Sequence, residues 1–112
     1  MAGQPSNLTV SLSPHAIRDL DEIWGWNFGK YGFDRADAYI AFLLAETANL
    51  AITYLAGKVV PKLPNLSYVV IQKRRSGHGH VAVYELIDDV IQVLHFYHTA
   101  QDWQARLAGE SE

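Results

Sequence analysis

Hydrophobic and polar positions change period along the chain. Residues 8–12 alternate as Leu-Thr-Val-Ser-Leu, the pattern of a half-buried strand. Ser13-Pro14 then supplies a helix cap and a proline for the first turn. From there Ile17, Leu20, Ile23/Trp24, Phe28 and Tyr31 recur at helical spacing, while Arg18, Asp19, Asp21 and Glu22 largely fill the other face. Gly29 or Gly32 ends this helix. Asp34 is placed to cap a second one, which carries Tyr39, Ile40, Leu43, Thr47, Leu50 and Tyr54 on one stripe to near Gly57. Phe42, Leu44 and Ile52 make that helix apolar on more than one face, so it must touch its partner helix or another chain as well as a sheet.

Pro61 and Pro64 mark residues 58–66 as a loop. Three runs rich in β-branched and aromatic residues follow, over 68–72, 81–87 and 90–97. Asp88-Asp89 separates the last two by hairpin spacing, and Asp tolerates the backbone angles of a two-residue turn. The corner over 73–80 carries Lys73, Arg74, Arg75, His78 and His80 around two glycines. A short helix over 100–107 closes the chain. The order β-α-α-β-β-β predicts an α+β fold: an N-terminal strand, an α-hairpin packed on one face of a small antiparallel sheet, and a short C-terminal helix. Residues 1–7 are expected to be a flexible N-terminus, 8–108 a single domain and 109–112 a tail. One strand edge must remain free or be covered.

The length of 112 residues supports one modest core, and an apolar share of 49% places the chain among globular rather than disordered sequences. With no cysteine, disulfides and thiol catalysis are excluded, which fits a cytoplasmic protein. The most apolar stretch, 36–55, is interrupted by Asp37, Glu46 and Asn49, so no membrane association is expected; residues 1–7 are polar and lack the centre of a signal peptide. The net charge of −3 hides a segregation. No acid occurs from Thr47 to Tyr84, where Lys58, Lys62, Lys73, Arg74 and Arg75 give +5; elsewhere four cations face 12 acids. The helical half is therefore acidic and the sheet side basic, two surfaces suited to different contacts. An acidic chain is a poor candidate for non-specific nucleic-acid binding.

The candidate chemistry is limited to a few groups. Lys73, Arg74 and Arg75 can stabilise a phosphate, and His78, His80, His95 or His98 can act as acid or base near neutrality, as can Tyr97 as an acid. The plainer reading of Lys-Arg-Arg is a solvated loop. His78 and His80 flank Gly79 as turn residues would. His95 and His98 point to opposite faces of a straight strand, and His98 suits a structural hydrogen-bonder beneath the last helix. Tyr84 suits the core with its hydroxyl at an edge. A zinc site from His78 and His80 with His95 or His98 lacks Cys, an acidic fourth ligand and metal-site spacing, so neither metal nor cofactor is expected. Trp24 lies on the helical stripe and Trp26 does not; an exposed Trp suggests a partner surface.

Several pieces, in order, resemble the RelE/ParE superfamily of bacterial type II toxin–antitoxin modules. Ser13-Pro14-His15-Ala16 followed by Asp19-Leu20-Asp21-Glu22-Ile23-Trp24 is similar to the first-helix signature of ParE-like members. Asp34-Arg35-Ala36 with Tyr39 resembles the start of their second helix, and Val83-Tyr84, Asp88-Asp89 and Val90-Ile91-Gln92-Val93-Leu94 their penultimate hairpin. Phe96-Tyr97-His98 through Asp102-Trp103 sits where an aliphatic pair, a His and then an Asp are common. The resemblance spans about 12–107. It departs at His95, where an Arg is frequent, and over 57–66, which lacks a common charged pattern.

The resemblance implies a toxin neutralised in a hetero-oligomeric complex by a cognate antitoxin with an acidic, disordered tail. It offers two activities. ParE-like members poison DNA gyrase without cutting anything themselves; RelE-like members cleave messenger RNA on the ribosome. The single basic corner and the acidic helical pair favour the ParE-like reading, with no catalytic residue and with Lys73, Arg74, Arg75, His95, Tyr97 and Trp103 as contacts to target or antitoxin. In the nuclease alternative His80 and His98 serve as acid or base, with Arg74 or Arg75 on the phosphate. A further alternative is a member that has lost toxicity and only binds a partner.

Overall fold

The computed structural model describes residues 8–73 and 79–111. The chain runs β1 (Thr9–Leu12), α1 (Pro14–Tyr31), α2 (Phe33–Ala48), α3 (Leu50–Thr53), a 3₁₀ turn (Tyr54–Ala56), β2 (Lys58–Val60), β3 (Leu63–Ile71), β4 (His80–Ile87), β5 (Val90–His98) and α4 (Trp103–Ser111). This is the α+β architecture the sequence predicts. The five strands form one sheet in the order β1-β5-β4-β3-β2. All neighbours are antiparallel except β1, which joins β5 in parallel, so the sheet is mixed.

The α-hairpin is anchored by its first residue. The Ser13 N–H donates to the Val93 carbonyl (2.9 Å) and its Oγ to the Leu94 carbonyl (2.8 Å), while the same Oγ accepts from the Ala16 N–H (3.0 Å). These bonds fix the rotation of α1. Ala16, Leu20 and Asn27 face inward, and Ile17, Phe28 and Tyr31 do not. The stripe expected from hydrophobic spacing is therefore corrected. A small residue next to the anchor lets the helix approach the sheet closely, and the aromatics move outward. There Trp24 stacks on Phe28 (centroids 5.0 Å apart) and donates from its indole to Asp37 on α2 (2.8 Å). α1 ends at Gly32, whose φ of 93° is the left-handed conformation glycine accepts. Gly32 also precedes α2 with no side-chain cap, so Asp34 sits inside the first turn, where a carboxylate favours the helix dipole, rather than at the cap.

The helical stretch Phe33–Ala56, 24 residues with an apolar window of mean hydropathy 1.4, is long and apolar enough to cross a membrane by composition. In the fold, Ala36, Leu43, Thr47 and Leu50 on this stretch are buried, Leu43 and Leu50 in one core cluster with sheet residues, while Leu44, Ile52 and Leu55 remain exposed.

The region expected to be a loop over 58–66 is instead β2 and the first half of β3. They are joined across Pro61-Lys62, with Val60 opposite Leu63. Pro61 sets the first turn angle and Lys62 takes a positive φ of 70°, the combination a type II turn uses. The Asp88-Asp89 hairpin forms as expected, with Asp88 at φ 55°. Gly57 is required by a close approach: a Cβ there would overlap the Tyr84 hydroxyl, which donates to the Tyr54 carbonyl (2.6 Å).

Both faces of the sheet are covered. One carries the α-hairpin over Ala82, Tyr84, Ile91, Val93 and Phe96. The other packs Val81, Val83 and Tyr97 against Val60 and against Leu107 of α4. β4 is therefore buried on both sides from His80 to Tyr84, which explains its unbroken apolar run. The register shift between Val83 and Tyr84 leaves Leu94 as an extra residue on β5. It moves Phe96 and His98 onto the α-hairpin face and His95 and Tyr97 onto the α4 face.

Candidate functional site

A cleft of ≈ 1050 Å³ opens between α1, the start of α2 and the ends of β4 and β5. Gly79 builds its floor. A Cβ on that residue would overlap the Ile71 carbonyl, so only glycine lets the chain enter β4 this close to β3. The Gly79 N–H donates to Thr99 Oγ1 and the Thr99 N–H donates to the Gly79 carbonyl, both at 3.0 Å. These bonds lock the start of β4 to the end of β5 and set His80 opposite His98, with ring centroids 5.2 Å apart.

His80 is buried, and its Nδ1 lies 2.6 Å from the Tyr39 hydroxyl of α2. Burial first, and the neighbouring His98 second, push the His80 pKa down to about 4; burial pushes the Tyr39 phenol up to about 12. At neutral pH the phenol keeps its proton, which assigns Tyr39 as donor and neutral His80 as acceptor at Nδ1. An imidazole with so low a pKa is displaced from the range in which acid–base transfer at neutral pH is most efficient. His98 binds the following turn: its Nδ1 accepts from the Ala100 N–H (3.0 Å) and its N–H donates to Gln101 Oε1 (2.9 Å). It does so beside His80 on the α-hairpin face, not beneath α4 as the sequence reading placed it.

His95 lies on the other face and toward the sheet's edge. β1 pairs with β5 only from Val90 to Val93, and Asp19 of α1 takes over beyond it. The Asp19 carboxylate accepts from the Phe96 N–H (3.0 Å) and pairs with His95 Nδ1 (3.3 Å). Tyr97 is buried and stacks on His95 (5.2 Å), and Trp103 of α4 covers Tyr97 (6.3 Å) and Tyr68 (4.7 Å). Of the proposed contact residues, His95, Tyr97 and Trp103 thus gather around the α4 core, and Lys73 lines the cleft on the opposite side. Arg74, Arg75 and His78 lie outside the described residues.

The structure adds cleft residues that sequence reasoning did not assign to a site. Tyr39 was legible only as a helix position. Trp26 is 57% exposed, as its place off the stripe suggested. Lys30 Nζ lies over its ring at 4.9 Å, and the Arg35 guanidinium lies over Tyr31 at 5.3 Å. The signal was the i, i+4 spacing of cation after aromatic, Trp26 to Lys30 and Tyr31 to Arg35. Lys73 Nζ sits over Phe42 at 5.5 Å. Among the described residues, none of these three cations has a carboxylate within 4.0 Å.

The model of the ParE toxin of the type II toxin–antitoxin system, parDE, matches residues 10–103. The chain belongs to the ParE toxin family. The fold agrees. A chain of the chromosomal ParDE TA system from P. aeruginosa, 16% identical, superposes with a TM-score of 0.70 over 83% of this toxin and 97% of that chain. The solution structure of the conserved hypothetical protein HP0894 from Helicobacter pylori, also 16% identical, gives 0.51 over 84% and 97%. No curated protein sequence matches the chain significantly. The matched segment starts at the second residue of β1 and ends at the first residue of α4, so the α-hairpin and all of the sheet but Thr9 fall inside it.

Proposed function

We propose that this ParE-family toxin arrests growth by poisoning DNA gyrase in the cytoplasm and is neutralised by a cognate antitoxin with an acidic, initially disordered tail. The family match over residues 10–103 carries the reading. Three features support a wrapping antitoxin. β2 is an edge strand, Ile52 and Leu55 on the helical segment preceding it are 70% and 82% exposed, and the basic corner begins at Lys73. The low pKa of His80 argues against tuned acid–base chemistry in the cleft.

A second reading, a ribosome-dependent mRNA endoribonuclease, is favoured by one observation: His80, His98 and Tyr39 converge in a cleft that Lys73 also lines. Alanine substitution at His80, His98, Lys73, Arg74, Arg75 and Trp103, scored for toxicity in variants that still fold and bind antitoxin, separates the two. A gyrase poison should lose toxicity gradually along Lys73, Arg74, Arg75 and Trp103. A nuclease should lose on the order of 10²–10⁴-fold at a single histidine, and a clean loss at His80 or His98 would overturn the first reading.

A further inference from the structure

We propose that the cleft between α1 and the ends of β4 and β5 is a nucleoside-phosphate site, with an unstacked base on Trp26 and Tyr31 and its phosphates against Lys30, Arg35 and Lys73. The inference holds whichever macromolecule the toxin acts on.

Charge is the first argument. The chain is acidic overall, yet three cations from three elements line one cleft with no ion-pair partner among the described residues. Cations converging from α1, α2 and the segment that follows β3 are placed for an anion.

The aromatic surface is the second argument, and it selects the kind of anion. Trp26 and Tyr31 form a corner, with centroids 6.2 Å apart and planes at 71°. A base can stack on one ring and meet the edge of the other. Each ring already carries a cation, Lys30 or Arg35, so a stacked base brings its own phosphate to a charge. Aromatics interleaved with cations are how proteins hold single nucleotides of unpaired strands. An acidic peptide would use the cations but leave this corner without a role.

Two carboxylates also line the cleft. Asp19 is engaged by the Phe96 N–H and His95, and Glu22 lies on the α1 wall. Both can accept from base amines or sugar hydroxyls, and both direct the phosphates toward Arg35 and Lys73. The volume of ≈ 1050 Å³ lies just above that of most ligand sites, which run roughly 300–1,000 Å³. It has room for more than one nucleotide unit.

The ligand has two sources, a free nucleotide or an exposed nucleotide of a single strand. Titration calorimetry on the purified full-length toxin in low-salt, magnesium-free buffer distinguishes them, with ATP, adenosine, tripolyphosphate, a ten-residue oligothymidylate and octaglutamate as probes. ATP or the oligonucleotide should bind at least ten-fold tighter than adenosine, tripolyphosphate or octaglutamate. Trp26→Ala should weaken that binding on the order of ten-fold, and Trp26→Phe should restore most of it. Arg35→Gln and Lys73→Gln should weaken it and flatten its salt dependence. Tighter binding of the oligonucleotide, with a log–log salt slope near about −2 for three neutralised phosphates, identifies a strand; tighter ATP identifies a free nucleotide. Absence of binding to both at millimolar concentration overturns the proposal. So does octaglutamate or tripolyphosphate binding as tightly as ATP and the oligonucleotide, or Trp26→Ala without effect.

Discussion

Acidification from pH 6.5 to 4 is expected to cost the folded toxin on the order of 3 kcal/mol through His80 alone. The native pKa is depressed to about 4 from an ordinary 6.5, because the ring is buried and, second, because it neighbours His98. Between those two values the unfolded chain holds a proton at this position that the native chain does not. Stability therefore rises with pH across the window. The contribution is fully present above pH 6.5 and is lost as the pH falls through 4. Carboxylates titrate over part of the same range, so the readout is a comparison. Urea unfolding at pH 7, 5.5 and 4 should show a shallower acid loss for His80→Gln, whose side chain cannot be protonated, than for the unaltered protein. Equal pH slopes for the two would mean that His80 is not held neutral in the fold.

Leu43→Ala should destabilise the fold strongly, by about 2–5 kcal/mol. Leu43 is among the largest fully buried side chains and sits on the inner face of α2, in one cluster with Leu20, Leu50, Tyr84, Ile91 and Phe96. The surrounding strands are held by their ladders and cannot collapse into the space, so a cavity term adds to the lost transfer energy. Against a total stability of roughly 5–15 kcal/mol, this is a large fraction. The urea midpoint should fall by about 1 M or more, given slopes of about 1–3 kcal/mol per molar urea. Toxicity should fall with the folded fraction, with no new dependence on any ionisable group. A loss below about 1 kcal/mol would contradict the packing of α2 on the sheet.

Local signals were legible where one residue decides a backbone state. Ser13-Pro14 starts α1 with a side-chain cap, and Asp88 supplies the positive φ of the β4–β5 turn. The runs that became β4 and β5 were equally clear, because a central strand covered on both faces keeps its apolar residues contiguous. Features set by tertiary contact were not legible. β2 is three residues long and lies between Gly57 and Pro61, so nothing local distinguishes it from a loop; its partner strand decides. The rotation of α1 follows from the bonds between Ser13 and β5, 80 residues away along the chain, which override the hydrophobic spacing of Ile17 and Phe28. The bulge at Leu94 sorts His98 to the cleft and His95 to the α4 face, and period-two reasoning could state only that the two separate. The Tyr39–His80 pair joins α2 to β4, and the sequence shows two ordinary residues 41 positions apart.

Gyrase as the proposed target of this ParE-family toxin is tested most directly with purified components. Toxin incubated with DNA gyrase, ATP and supercoiled plasmid should convert plasmid into linear DNA covalently bound to gyrase, and addition of the cognate antitoxin should abolish the effect. Gyrase that turns over normally at saturating toxin, together with transcripts cut at the ribosomal A site when the same toxin is added to a translation extract, would contradict it.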